Sequence, residues 1–186
     1  MFPIPRIVRA KEVWRRVCTF NEEWVNSLIK IGEASEKVIA GEVGSYGGRT
    51  GNIAWLDSDM SREMWDEVAL QVAQANDTFF DYDLDGFYDK FQYANYLEGD
   101  HFDWHIDRAG SPEQAPRKLS FTICLSHPDE YEGGHFEVMY APTPQVIDLA
   151  RGEMILFDAM MCHRVTKVTR GSRKTLVGWA CGPGLR

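Results

Sequence analysis

Five histidines are spread over 186 residues, and two of them fall in one stretch, Tyr96-Leu-Glu-Gly-Asp-His-Phe-Asp-Trp-His-Ile-Asp107. In an extended strand, alternate side chains share a face. His101, Asp103, His105 and Asp107 would then point one way, and Phe102, Trp104 and Ile106 the other. The apolar face would seat the strand on a core while the opposite face gathers nitrogen and oxygen donors. A solvated edge strand explains the same alternation, so this stretch does not decide alone. A second piece lies downstream in Leu156-Phe-Asp-Ala-Met-Met-Cys-His163. A lone histidine after an apolar strand is more often packed or exposed than a ligand. Joined to His105-x-Asp107, His163 completes two imidazoles and one carboxylate, a set that holds Fe(II) by one face and leaves three positions open for substrate and oxygen.

The elements that would position these groups follow from periodicity. Thr19 to Ile31 reads as a helix capped by Thr19 or Asn21, with Trp24, Leu28 and Ile31 in one stripe. A second helix starts at Ser61, buries Met64, Trp65, Val68 and Val72, and ends near Asn76. Between them, Gly41 to Gly51 carries five glycines and reads as a loop or a loose hairpin tip. Short strand-like runs follow: 79–84, 90–96, 118–125, 135–140, 145–149, 153–157, 164–168 and 175–180. Asp85-Gly, Gly133-Gly, Pro142 with Pro144, Arg151-Gly and Arg170-Gly punctuate them as turns. Helices first and short antiparallel strands after predict a mainly β fold, a jelly roll with helices buttressing one face. One domain over 1–186 is expected, helical over about 1–77 and jelly-roll over about 78–182.

Composition narrows the functions. A hydrophobic fraction of 44% suits a globular chain, and a net charge of −8 argues against a general nucleic-acid or membrane-surface binder. Cys18, Cys124, Cys162 and Cys181 show no CxxC pairing and read as reduced thiols. No apolar run is long enough for a signal peptide or a membrane span, so a soluble cytoplasmic protein is expected. His101 and His105 would suit zinc if this stretch were helical, but Gly99, Phe102 and Trp104 argue for a strand. His101 and Asp103 are expected at the rim, and His127 and His135 in surface or structural roles. Arg164, Lys167, Arg170 and Lys174 read as a solvated basic face that could steer an anion.

Taken in order, His105-x-Asp107, His163 and Arg173 in Gly171-Ser-Arg173 resemble the Fe(II)/2-oxoglutarate-dependent dioxygenases. The likeness is closer to the prolyl 4-hydroxylase-like branch, which includes the bacterial PKHD-type hydroxylases. Tyr96-x-x-Gly99, Leu119-Ser120, Tyr131-x-Gly133-Gly134, His163-x-Val165, Val168-x-x-Gly171-x-Arg173 and Trp179 support it. Upstream, Arg49-Thr50 and Trp55-Leu56 resemble the substrate-side loop and strand of that branch. The likeness runs over roughly 20–182; HxD alone is weak, and the ordered set is specific.

The resemblance implies a double-stranded β-helix with iron held by His105, Asp107 and His163. It implies that Arg173 binds the distal carboxylate of 2-oxoglutarate, a role its planar, permanently charged fork suits. The Tyr96 hydroxyl would contact 2-oxoglutarate or substrate; otherwise Tyr96 is a core aromatic. Relatives place a second partner of that carboxylate, a tyrosine, near Cys124, and here Thr122 or Ser120 would have to supply a hydroxyl. Oxygen is the co-reactant, and ascorbate is a further candidate. The implied reaction is hydroxylation of a prolyl group in a peptide or protein with release of succinate and CO2. An intact Asp107 favours hydroxylation over halogenation, since halogenating relatives carry a small residue there. Alternatives are a free amino acid, a small molecule or a nucleobase as target, or a cupin-like binding module without turnover. Against a nucleobase, Trp179 stands where nucleic-acid-demethylating relatives carry a second arginine.

Overall fold

The computed structural model describes residues 13–40, 48–108, 111–139 and 141–184. In chain order the elements are strand β1 (Trp14–Thr19), helix α1 (Glu22–Ala34), β2 (Val38–Ile39), β3 (Asn52–Leu56), a 3-10 turn (Ser58–Met60), helix α2 (Arg62–Ala75) and a π turn (Asn76–Phe80). There follow β4 (Phe91–Leu97), β5 (Phe102–His105), β6 (Arg117–Cys124), β7 (Tyr131–Gly133), β8 (Phe136–Met139), β9 (Gln145–Val146), β10 (Glu153–Asp158), β11 (Cys162–Val165) and β12 (Val168–Cys181). Of the expected glycine-rich loop, Gly41, Gly44 and Gly47 lie outside the described residues.

Two antiparallel sheets face each other. The larger runs β1-β10-β6-β12-β4-β3-β2, with β7 added to the start of β12, and the smaller runs β5-β11-β8-β9. Phe136 and Val138 of the small sheet pack with Ile155 and Phe157 of the large one. This is the expected jelly roll, with helices on its outer face. The large sheet separates two environments by strand alternation. On its outer face, Leu119, Phe121 and Ile123 of β6, Leu176 of β12 and Phe91 and Tyr93 of β4 form one core with Trp24, Val25, Leu28, Met64, Trp65, Val68 and Val72 of the helices. The intervening residues, Gln92, Ser120, Thr122, Arg173 and Thr175, are buried and polar, and they give the inner face its chemistry.

Helix α1 starts where Asn21 accepts the Trp24 N–H at 2.9 Å, with Glu22 and Glu23 beside the positive end of the helix. Gly32 lets it lie on Tyr93, because a Cβ there would come within 2.5 Å of the ring. Ser61 starts α2 without a side-chain hydrogen bond; only its carbonyl accepts, from the Trp65 N–H at 3.2 Å. Other expectations change. Residues 79–84 form no strand, because the Asn76 side chain brackets Tyr82 through its N–H (3.0 Å) and carbonyl (2.9 Å), and Asp81 turns left-handed at φ 55°. Arg170-Gly171 is not a turn but lies within β12, where Gly171 has φ 77° and the strand passes from β7 to β4. Four strands outside the runs read from the sequence pattern, β1, β2, β3 and β7, extend the large sheet, β3 having been suggested only by the resemblance of Trp55-Leu56. All four cysteines are free thiols, as expected. No helix among the described residues is long and apolar enough to cross a membrane.

Candidate active site

The small sheet sets two imidazoles side by side. His163 of β11 lies directly opposite His105 of β5, with ring centroids 4.1 Å apart. The ladder then slips, since Val165 opposes Phe102 and leaves one extra residue in β5. This bulge breaks the strict alternation expected for 101–107. It brings Phe102 to the same side as His105, stacked at 3.5 Å, while Trp104 lies under the Arg164 guanidinium at 4.6 Å and Ile106 is partly exposed. His101 and Asp103 stay at the rim. Asp103 accepts the Gly48 N–H at 3.2 Å, and His101 Nδ1 lies 3.5 Å from the Thr50 hydroxyl.

Asp107 crosses from the small sheet to the large one. Its N–H donates to the Ala159 carbonyl at 3.0 Å, and its Oδ2 accepts the Ser120 hydroxyl at 2.6 Å. Both imidazoles are held in one tautomer. Because a carbonyl can only accept, His105 Nδ1–H donates to Asp103 O at 2.8 Å and His163 Nδ1–H to Met161 O at 2.9 Å. In the neutral ring this leaves the Nε2 lone pair free, and both Nε2 atoms face Asp107. His105 Nε2 lies 3.7 Å from Oδ1 and His163 Nε2 3.6 Å from Oδ2. Those gaps are too long for direct hydrogen bonds, and all three donor atoms lie within 4.8 Å of one another, so the group could hold a metal ion.

Burial, with the His163 charge second, lowers His105 to about 4, so its imidazole is neutral at physiological pH. Burial alone would raise the Asp107 carboxyl, but His163, His105 and the Ser120 hydrogen bond together hold it below the usual range. The Trp179 indole N–H also faces this carboxylate without completing a hydrogen bond. Metal binding requires a carboxylate and neutral imidazoles, and Asp107 and His105 already meet that requirement.

Arg173 sits opposite Tyr96 in the β12–β4 ladder, is 3% exposed, and its Nε has no partner. Cys124 gives its thiol to the Ser126 carbonyl at 3.5 Å. The Tyr131 phenol reaches both Arg173 and Cys124 from β7. Of the two hydroxyls considered from the sequence, Ser120 is committed to Asp107, and Thr122 is buried between Ser120 and Cys124 on the same strand face. Tyr96 is a core aromatic whose hydroxyl accepts from Arg49 at 3.4 Å. His127 and His135 are exposed and apart from the triad. Two of the four residues of the basic cluster are neutralised, Arg164 by Glu137 at 2.7 Å and Arg170 by Glu132 at 2.9 Å.

Residues 91–181, which carry the whole triad and Arg173, match the family model described as the 2OG-Fe(II) oxygenase superfamily. That stretch, just under half of the chain, is similar to that superfamily. A PKHD-type hydroxylase of Pseudomonas putida is 39% identical over 89 residues, which are 45% of this chain and 39% of that protein. The match thus spans about two fifths of the length of such relatives. In fold, a Pseudomonas putida prolyl-4-hydroxylase superposes with a TM-score of 0.73 at 20% identity, over 92% of this chain and 94% of its own. A Trichoplax adhaerens prolyl hydroxylase, solved with a hypoxia inducible factor oxygen degradation domain peptide fragment, also gives 0.73, at 16% identity over 91% and 83%.

At this site, two residues were not singled out from the sequence. Tyr131 was visible only as part of a Tyr-x-Gly-Gly motif, and its approach to Arg173 depends on the β7–β12 pairing. Arg49 was visible as part of Arg49-Thr50, but its stacking on Phe102 at 4.5 Å depends on the bulge in β5.

Proposed function

We propose that this chain is an Fe(II)- and 2-oxoglutarate-dependent hydroxylase acting on a prolyl group of a peptide or protein. The observation that carries the chemistry is the convergence of His105 Nε2, Asp107 and His163 Nε2 beside a buried arginine with an unpaired N–H. Two neutral imidazoles and a carboxylate are a donor set for Fe(II) that leaves sites open. The unsatisfied Arg173 asks for an anion, and a carboxylate matches its fork. Iron bound there would supply the activation of O2 that couples loss of CO2 from 2-oxoglutarate, giving succinate, to insertion of one oxygen atom into a substrate C–H bond.

The chain's own residues orient and exclude. The Asp103 and Met161 carbonyls fix both imidazoles, and Ser120 fixes the carboxylate, so little reorganisation is needed on binding. Arg173 and Tyr131 would hold the distal carboxylate of 2-oxoglutarate, with Thr122 on the adjoining strand face. At the mouth, Trp55 is 42% exposed and its ring lies 6.2 Å from Trp179, which itself lies under the Arg117 guanidinium at 3.8 Å. That apolar wall suits the flat, apolar face of a prolyl ring. The prolyl target is supported by the relatives' hydroxylase names and by the fold shared with prolyl hydroxylases.

The test is succinate release from 2-oxoglutarate under Fe(II) and oxygen, with and without proline-rich peptides. Peptide-stimulated release that disappears in His105→Ala and Asp107→Ala is the expected result. Release that no peptide stimulates would remove the prolyl assignment, and no release with any substrate would remove the hydroxylase.

A further inference from the structure

Among the described residues, four buried side-chain nitrogens lack a hydrogen-bond partner: Trp24 Nε1, Arg49 Nε, Arg173 Nε and Trp179 Nε1. Trp24 belongs to the helix-side core. The other three flank the triad, and two of them are guanidinium N–H groups. Arg173 is buried and Arg49 half-buried, and a buried guanidinium N–H left unpaired is costly, so each is suited to an anion. The proposed function gives Arg173 the distal carboxylate of 2-oxoglutarate, and the other end of that molecule belongs at the metal. Arg49 is left over.

The surroundings of Arg49 keep its charge undiminished. Its Nη2 donates to two neutral acceptors, the Gln92 amide oxygen and the Tyr96 hydroxyl, the latter at 3.4 Å. Its guanidinium lies over Phe102, whose ring stacks on His105. Arg117, also beside the triad, is by contrast neutralised by Asp89 at 2.9 Å. Arg49 has no carboxylate partner among the described residues, although the chain carries 28 acids and a net charge of −8. A permanently charged side chain, one aromatic ring away from a metal ligand and held by neutral groups alone, is placed to attract a negative group that arrives with the substrate.

We propose that Arg49 is the anion-recognition residue for the primary substrate, so that the group presented to the triad carries a carboxylate near the C–H bond that reacts. This rests on the hydroxylase reading, which assigns Arg173 to 2-oxoglutarate. The carboxylate comes either from the prolyl residue itself, at a chain terminus or in the free imino acid, or from an acidic side chain next to it.

The two orphaned Nε–H groups serve as reporters in one NMR experiment on the 15N-labelled, Zn(II)-loaded protein. Arg49→Lys and Arg173→Lys assign the signals, and the titrations themselves use the wild-type chain. 2-Oxoglutarate added first moves the Arg173 signal and leaves that of Arg49 in place. N-acetylproline, N-acetyl-Pro-Asp-NH2 and N-acetylprolinamide follow. A carboxylate probe moves the Arg49 signal saturably at a concentration about tenfold lower than the amide requires, as a charge-assisted hydrogen bond implies. Whichever of the two carboxylates does so identifies the source. Equal responses to all three probes, or none, overturn the assignment. Movement of the Arg49 signal by 2-oxoglutarate alone overturns it too, because Arg49 would then serve the cosubstrate. An Arg173 signal indifferent to 2-oxoglutarate contradicts the hydroxylase reading instead, and the Arg49 response to the substrate probes is read independently of it.

Discussion

On the proposed function, one role has moved along the chain from the place of Cys124 to Tyr131. Where related enzymes are expected to place a tyrosine, the Cys124 thiol is tied to the Ser126 carbonyl, and the phenol beside Arg173 comes from β7 instead. Tyr131→Phe should weaken 2-oxoglutarate binding to the Zn(II)-loaded protein about tenfold, the worth of a hydrogen bond to a charged group. Binding of 2-oxobutyrate, which lacks the second carboxylate, should be unchanged, and calorimetry on the same samples reads both. Equal losses for the two acids would mean that Tyr131 acts through the fold. At this scale much was legible. His105, Asp107 and His163 stood out because metal chemistry restricts the residue types that can serve, and Arg173 stood out through the family resemblance of Gly171-Ser-Arg173. Tyr131 did not, because its neighbours are set by a pairing between strands far apart in sequence.

The elements were legible where a pattern has a single cause. Helix α1 follows from Asn21, two acids and an apolar stripe, and β6 and β12 from alternation between a helix-facing and an inward-facing side. The pattern failed where a side chain overrules it. Phe79 to Leu84 alternates like a strand, yet the Asn76 amide folds it into a turn. β1 has no clean alternation because it is an edge strand, and its Arg16 pairs outward with Glu153 and the Asp148 carbonyl. The clasp between α1 and β4 gives this scale a pH dependence. The fully buried Tyr93 donates its hydroxyl to Glu33 Oε1 at 2.6 Å. Burial works to raise the Glu33 carboxyl, but the hydrogen bonds from Tyr93 and Lys37 outweigh it, so the folded value lies below the ordinary 4.5. A carboxyl depressed by folding stabilises above its unfolded value, and that contribution fades as pH falls through the folded one. Wild type should therefore melt higher than Glu33→Gln at neutral pH, and the gap should narrow as pH falls through the ordinary carboxyl value of 4.5 and below it. Thermal unfolding of both across that range checks it; a constant gap would mean that Glu33 acts by packing alone.

At the scale of the whole molecule, the jelly roll explains why this chemistry sits where it does. The small sheet contributes both imidazoles, the large sheet contributes Ser120, Arg173 and Trp179, and Asp107 spans the gap between them. The polar inner face is supported from behind by the helix-backed core, so the site rests on the most buried strands of the protein. The central claim is that the triad binds Fe(II) in a way that leaves room for 2-oxoglutarate beside Arg173. Its most direct test is the visible spectrum of the anaerobic Fe(II)-loaded protein as 2-oxoglutarate is added. A charge-transfer band should appear in the wild type, vanish in His163→Ala, and need more 2-oxoglutarate in Arg173→Gln. A folded wild-type protein that binds Fe(II) but shows no band at saturating 2-oxoglutarate, or a His163→Ala variant with the wild-type band, would contradict the account.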